Sequence, residues 1–269
     1  MATSTLAVPS SPARRVVVAG VLSGVAIFLG YTRLGFIPVP SPAGNATIMH
    51  IPAIIGGVLE GWGVGAVIGA IFGLFSFLQS TTQIFKDPLV AILPRIFIGI
   101  TPFFVYRALR GINRTGGYIV AALILVLVGV FAKSALDYIP PQNLAFNFGG
   151  TDANQPWISL TGQSAIVLYD IIGGLMVLLG IGLAGAFAYY AHRNQMEIMA
   201  IGAAAVVGTL TNTVLVLTMI VVRGYLDAAT AVGIGITNGI PEIIVAVIIT
   251  VAVVTAWKGI GTGAGKSSV

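Results

Sequence analysis

The sequence contains no cysteine, two histidines and few charges: 13 Lys and Arg and 8 Asp and Glu among 269 residues. Without cysteine there is no disulfide framework and no thiolate nucleophile. His50 and His192 stand alone in distant parts of the chain, so neither a metal-ligand cluster nor a nucleophile–base pair is on offer. An intramembrane enzyme lacks its parts, and no metal or cofactor is expected. Charged residues make up 8% of the chain, against about 25% in soluble domains. That excludes a soluble enzyme, a disordered tail and a nucleic-acid binder, although the pI is near 9.7. The tail from Gly259 to Ser267 imitates a phosphate loop, but Ile260 stands where its first glycine belongs, so no ATP site is expected there.

What the chain does have is apolar surface. Hydrophobic residues account for 57% of it, with 35 glycines and a mean hydropathy of +1.01. This is the composition of an all-α polytopic membrane protein, in which small residues let helices approach closely. A hydrocarbon core of about 30 Å needs roughly 20 apolar residues per span. Candidate segments are Val16–Tyr31, Thr47–Leu59, Trp62–Leu78, Leu89–Leu109, Tyr118–Asp137, Ala165–Tyr190, Met199–Val222 and Ala228–Trp257. The second is short and contains Pro52; the fourth contains Pro94, Arg95 and Pro102. Such backbone is tolerated where protein or a water-lined cavity, not lipid, surrounds it.

Cations order the segments. With the N-terminus inside, Arg14, Arg15, Arg107, Arg110, Arg114, Arg193, Lys258 and Lys266 fall in the cytoplasm, and Arg33, Lys86 and Arg223 outside. That bias predicts eight segments in a single transmembrane domain, 1–269, with both termini cytoplasmic. Residues 1–15 form the N-terminal tail and 258–269 a flexible C-terminal one. The first apolar run lacks a small-x-small exit site and reads as a retained helix. Trp62, Trp157 and Trp257 fall near segment ends, as interfacial aromatics do, and Arg193 and Glu197 are expected in a cytoplasmic loop.

Polar residues at depth carry the functional information. At about 1.5 Å per helical residue, Arg95 lies roughly 10 Å below the outer surface. By the same rise Asn212 and Asn238 reach a similar level, about 20 Å from the cytoplasmic side and on the order of 15 Å from the outer one. Thr237-Asn238-Gly239-Ile240-Pro241-Glu242 reads as a helix break and restart, with Asn238 as cap and Glu242 in the new first turn. His50 is placed near the outer mouth. A charge at such depth costs about 2.5–3.5 kcal/mol and calls for a partner or ligand. Two arrangements satisfy this: a small-molecule pocket open to the outside, or Arg95 and Glu242 neutralising each other while the asparagines bridge helices. Lys133 and Asp137, four apart on one helix face, pair locally, with Asp170 joining them as a structural network. On the first segment, Ala19-x3-Ser23 and Gly20-x3-Gly24 form a strip of small residues on which another helix can dock.

Three stretches together resemble the substrate-binding (S) component of an energy-coupling factor (ECF) vitamin transporter, closest to its pantothenate-type branch. They are Leu34–Pro40 with Ala46–Gly57; Asp87–Gly99; and Gly208–Leu217 with Thr237–Glu242. The resemblance implies a six-helix binding subunit with an outward pocket gated by the loop Thr32–Ala46. It implies capture of a vitamin, without chemistry, by Arg95, Asn212, Asn238, Glu242 and His50. It also implies docking through the first helix, at Ala19, Gly20, Ser23 and Gly24, to a transmembrane coupling subunit driven by two cytoplasmic ATPases. Since the family has six helices, residues 118–190, with their extracytoplasmic loop 139–163, read as an inserted helical hairpin. Arg95 suits a carboxylate, because a guanidinium forks onto two oxygens; pantothenate and other small anionic vitamins both satisfy that inventory. The alternative class is a proton-coupled secondary transporter using Glu242, Asp137 or Asp170. Broken helices favour it, but the internal inverted repeat common in such folds is not evident.

Overall fold

The computed structural model describes residues 11–38, 45–137, 143–146 and 158–259. Helix α1 (Pro12–Tyr31) leads through a two-stranded antiparallel hairpin, β1 (Phe36–Pro38) and β2 (Asn45–Thr47), into α2 (Ile51–Glu60) and α3 (Trp62–Gln79). A short α4 (Pro88–Ala91) precedes α5 (Leu93–Leu109). Then come α6 (Arg114–Asp137), strands β3 (Asn143–Phe146) and β4 (Ile158–Thr161), α7 (Gln163–His192), α8 (Met196–Val222) and α9 (Ala228–Lys258). Among the described residues five helices are long and apolar enough to cross a membrane: α1, α3, α4 with α5, α8, and the stretch of α9 from Pro241. Apart from the two short ladders the described chain is helical, as an all-α membrane protein requires.

Boundaries follow local chemistry. Ser11 accepts from the Arg14 N–H at 3.3 Å and Pro12 occupies the first turn of α1, the positions each residue favours. The helix therefore starts ahead of Val16, and Arg14 and Arg15 belong to it, not to a tail. Residues 1–10 and 260–269 lie outside the described residues, as does Trp157. Helix α2 has only ten residues, and all but Leu59 are buried. Its shortness and Pro52 are accommodated by enclosure in protein, as expected.

Two expectations are corrected. Helix α9 runs unbroken through Thr237–Glu242, with Pro241 inside it. Proline removes one backbone donor and crowds the carbonyl four residues earlier. Here packing of α9 on α8 and α2 holds the axis together, and such compensation by neighbours is usual in membrane helices. Glu197, in turn, is not in a loop but in the first turn of α8. It accepts from Tyr106 Oη at 2.7 Å and Lys258 Nζ at 3.0 Å, tying α5, α8 and α9 at one end.

The core forms where α2 threads between α1, α3, α5, α8 and α9. Ile54, Ile68, Ile98 and Ile201 are fully enclosed there. Helices α3 and α5 cross at glycine: a Cβ on Gly65 would strike the Gly99 carbonyl, and one on Gly69 the Arg95 carbonyl. Gly73 faces Ile92 and Ala91 in the same way. This ladder, Gly65-x3-Gly69-x3-Gly73, lets two backbones touch where side chains would hold them apart. Helices α6 and α7 pack chiefly on each other, and reach α8 through a cluster of Ala121, Phe187, Ala191, Met196 and Met199.

Each end of the bundle is closed by charge. At the basic end Arg14 Nε meets Glu60 Oε1 at 2.8 Å. At the opposite end Asp87 caps α4 through Leu89 N–H at 3.0 Å, and accepts from Arg223 Nε at 2.5 Å and Tyr225 Oη at 3.4 Å. The Arg223 guanidinium holds the Asp87 carboxyl below the usual carboxylate range.

Candidate substrate site

Of the polar residues singled out from sequence, Arg95, His50 and Glu242 are near enough for their charges to act on one another, and Asn212 and Asn238 are buried in the same packed interior. His50, fully enclosed at the start of α2, shares a hydrogen bond of 3.0 Å between Nε2 and Thr209 Oγ1 on α8. One turn further along α8, Thr213 Oγ1 donates to Thr209 O at 3.2 Å and to Glu242 Oε2 at 3.5 Å. Glu242 Oε1 accepts from the Thr47 backbone N–H at 2.7 Å. A carboxylate on α9 thereby holds the last residue of the β1–β2 hairpin. Asn212 and Asn238 are buried on the same two helices, with Asn238 one turn before Glu242.

Arg95 completes the group from α5. Its position follows from the glycine ladder, because only glycine at position 69 lets the Arg95 backbone approach α3 so closely. The guanidinium lies 5.7 Å from the Phe72 ring and 5.2 Å from the Phe85 ring, and Nη1 donates to Val90 O at 2.5 Å. Arg95 and Glu242 do not pair: no ion pair within 4.0 Å joins them among the described residues. Their charges act on one another, and Arg95's on His50, only through space. The direct neutralisation open from sequence is thus absent from this arrangement.

Two polar atoms of these residues, Arg95 Nε and Asn212 Oδ1, are buried without a partner, whereas His50 meets the Thr47 backbone as well as Thr209. A buried polar atom left unmade costs about 1–3 kcal/mol, more for a charged group, and native proteins keep few of them. A buried donor and a buried acceptor left open are what a small polar molecule could satisfy.

The strip on α1 divides between two faces. Ser23 is buried and Ala19 packs against the core beside Ala26 and Met49. Gly20 and Gly24 face outward, with open space where a Cβ would stand, flanked by exposed Val16, Val17, Val21 and Val25. Asp170 is exposed on α7; the side chains of Lys133 and Asp137 lie outside the described residues, and so does their expected network with it.

Thr209 and Thr213 were not singled out from sequence, because threonine on an apolar helix ordinarily bonds its own preceding turn. Only the cross-helix geometry distinguishes these. Thr47, on β2, contributes only its backbone N–H. The Gly65-x3-Gly69-x3-Gly73 spacing was a readable signal for the α3–α5 crossing.

Residues 14–173 match the family described as ECF transporter, substrate-specific component. The matched stretch runs from α1 into α7 and includes His50 and Arg95, but not Asn212, Asn238 or Glu242. The chain is also similar to the pantothenic acid transporter PanT of Lactococcus lactis subsp. cremoris (strain MG1363), at 31% identity over 133 residues, covering 38% of this chain and 67% of that protein. With its apolar helices, this makes the protein a multi-pass subunit of the prokaryotic cell membrane serving vitamin uptake. The chain belongs to the family of substrate-specific components of ECF transporters.

Proposed function

We propose that this protein captures pantothenate from outside the cell in the polar cluster between α2, α5, α8 and α9. It then delivers the vitamin inward by docking to an ECF coupling subunit powered by two separate ATPases. The observation that carries this reading is that Arg95 Nε and Asn212 Oδ1 are buried without partners in an otherwise apolar bundle. Arg95 receives the carboxylate, Asn212 and Asn238 the amide and hydroxyls, and His50 closes the mouth. Glu242 latches the β1–β2 hairpin through Thr47 and so links the cluster to the lid above it. Gly20 and Gly24 form the outward part of the docking face. The basic end faces the cytoplasm, both termini included, which follows from its cations. Residues 118–190 are a hairpin added to a six-helix bundle. Similarity to a pantothenic acid transporter supports this choice of vitamin.

The test is to purify the chain alone in mild detergent, identify whatever co-purifies by mass spectrometry, and titrate the stripped protein with pantothenate and a vitamin panel. Saturable binding of pantothenate in preference to the panel is expected. Preference for a different anionic vitamin would reassign the substrate. Binding of none, together with uptake by the chain alone under a pH gradient, would overturn capture in favour of proton-coupled transport.

A further inference from the structure

At the basic end, away from the polar cluster, the starts of α1 and α3 and the ends of α2, α5 and α9 border an open cavity of about 750 Å³. That is within the range of roughly 300–1,000 Å³ common to small-molecule sites. Five cationic side chains line it, Arg14, Arg15, Arg107, Arg110 and Lys258, against one carboxylate, Glu60. Glu60 is already bound to Arg14, and Lys258 to Glu197. No carboxylate lies within ion-pair distance of Arg107 or Arg110 among the described residues. They lie over Phe103 and Tyr106, at 5.9 and 5.6 Å, and Glu197 acts on Arg110 only through space, so their N–H forks can still receive an anion.

The backbone adds to this field. Helix α3 opens into the cavity at Trp62 without a side-chain cap, following Gly61 at φ 104°. Neither Gly61 nor Gly63 has anything within 4 Å of where a Cβ would stand, so an oxyanion can reach the first-turn N–H groups. One wall is apolar, made by Val58, Leu59, Val64 and Phe103. Trp62 and Trp257 are exposed at this end, where interfacial aromatics place the headgroup level.

We infer that this cavity binds the phosphate of an anionic phospholipid, with Arg107 and Arg110 gripping the headgroup and the apolar wall receiving the start of an acyl chain. Basic pockets between membrane helices on the cytoplasmic side are suited to such headgroups. Free inorganic phosphate shares the anionic chemistry but makes no use of the apolar wall or of the tryptophans at its edge. The site is separate from the vitamin cluster and does not depend on what that cluster binds.

The experiment is native mass spectrometry of the full chain in detergent, with phosphatidylglycerol and phosphatidylcholine of identical acyl chains added in turn. Phosphatidylglycerol is expected to be retained at least about fivefold more, and the preference to shrink as salt screens the cations. The double variant Arg107→Gln/Arg110→Gln should lose that preference, while Arg107→Lys/Arg110→Lys keeps part of it and both retain vitamin binding. Equal retention of the two lipids, or a preference unchanged in the glutamine variant, would overturn the proposal. So would displacement of the lipid by low millimolar inorganic phosphate, which would assign the cavity to a free anion. Should the double variant fail to fold, the salt dependence and the single Arg107→Gln variant decide.

Discussion

Enclosing a guanidinium in an apolar bundle costs several kcal/mol unless each donor is answered. At Arg95 the protein answers only in part: Nη1 has the Val90 carbonyl and the cation has two ring faces, but Nε has no acceptor. In the proposed complex a ligand carboxylate would supply what is missing, and hydrogen bonds to charged groups contribute about 1.5–3 kcal/mol. Arg95→Ala is therefore expected to weaken vitamin binding at least about tenfold in a titration of the purified protein, with its melting temperature little changed. Unchanged affinity with lowered stability would assign Arg95 to packing alone. That Arg95, Asn212, Asn238, Glu242 and His50 are enclosed was legible in the sequence, because polar side chains at membrane depth are conspicuous against their surroundings. Their division of labour was not: sequence left open a direct Arg95–Glu242 pair, whereas Glu242 spends its oxygens on Thr47 and Thr213. A backbone N–H is invisible to a reading by side-chain type.

Helices set the positions of these side chains, and the α3–α5 crossing matters most because it places Arg95. A methyl group at residue 69 has nowhere to go except into the Arg95 carbonyl, and overpacking of this kind typically costs about 1–3 kcal/mol. Gly69→Ala should lower the melting temperature and weaken vitamin binding together, whereas Gly24→Ala, with open space around it, should do neither. The outer clamp makes a pH-dependent statement at the same scale. Arg223 depresses the Asp87 pKa, so the clamp contributes fully above the unfolded carboxyl value of about 3.9. The contribution fades as pH falls through the depressed value. Melting curves of wild type and Asp87→Asn should therefore differ by a constant amount near neutrality and converge in acid below about pH 4. Segment ends were read from sequence with fair success, since Pro, Asp and charge mark them. Pro241 misled because its cost to a helix is local, while the packing of α9 on α8 that outweighs it comes from residues far away in the chain.

On the scale of the molecule, the two ends have different chemistry and the sides are apolar, so any partner within the membrane must meet a helix face. Helix α1 is the most exposed of the five candidate spans, and Gly20 and Gly24 make a flat track along it between valines. Close helix–helix approach in lipid depends on such tracks, because dispersion contacts rather than the hydrophobic effect hold helices together there. A leucine at position 20 meets no atom of this chain within 4 Å of its Cβ, so the fold and the vitamin cluster should tolerate it. It would, however, stand between α1 and a docked neighbour. Gly20→Leu is thus expected to leave vitamin binding by the isolated protein unchanged and to abolish ATP-driven uptake in cells that supply the coupling subunit and ATPases. Co-purification of the coupling subunit should fall in parallel. Loss of binding along with uptake would mean that the track belongs to internal packing. Full uptake with normal binding would move docking to another face, and because Ser23 and Ala19 are turned into the core, that face would not be the other half of this strip.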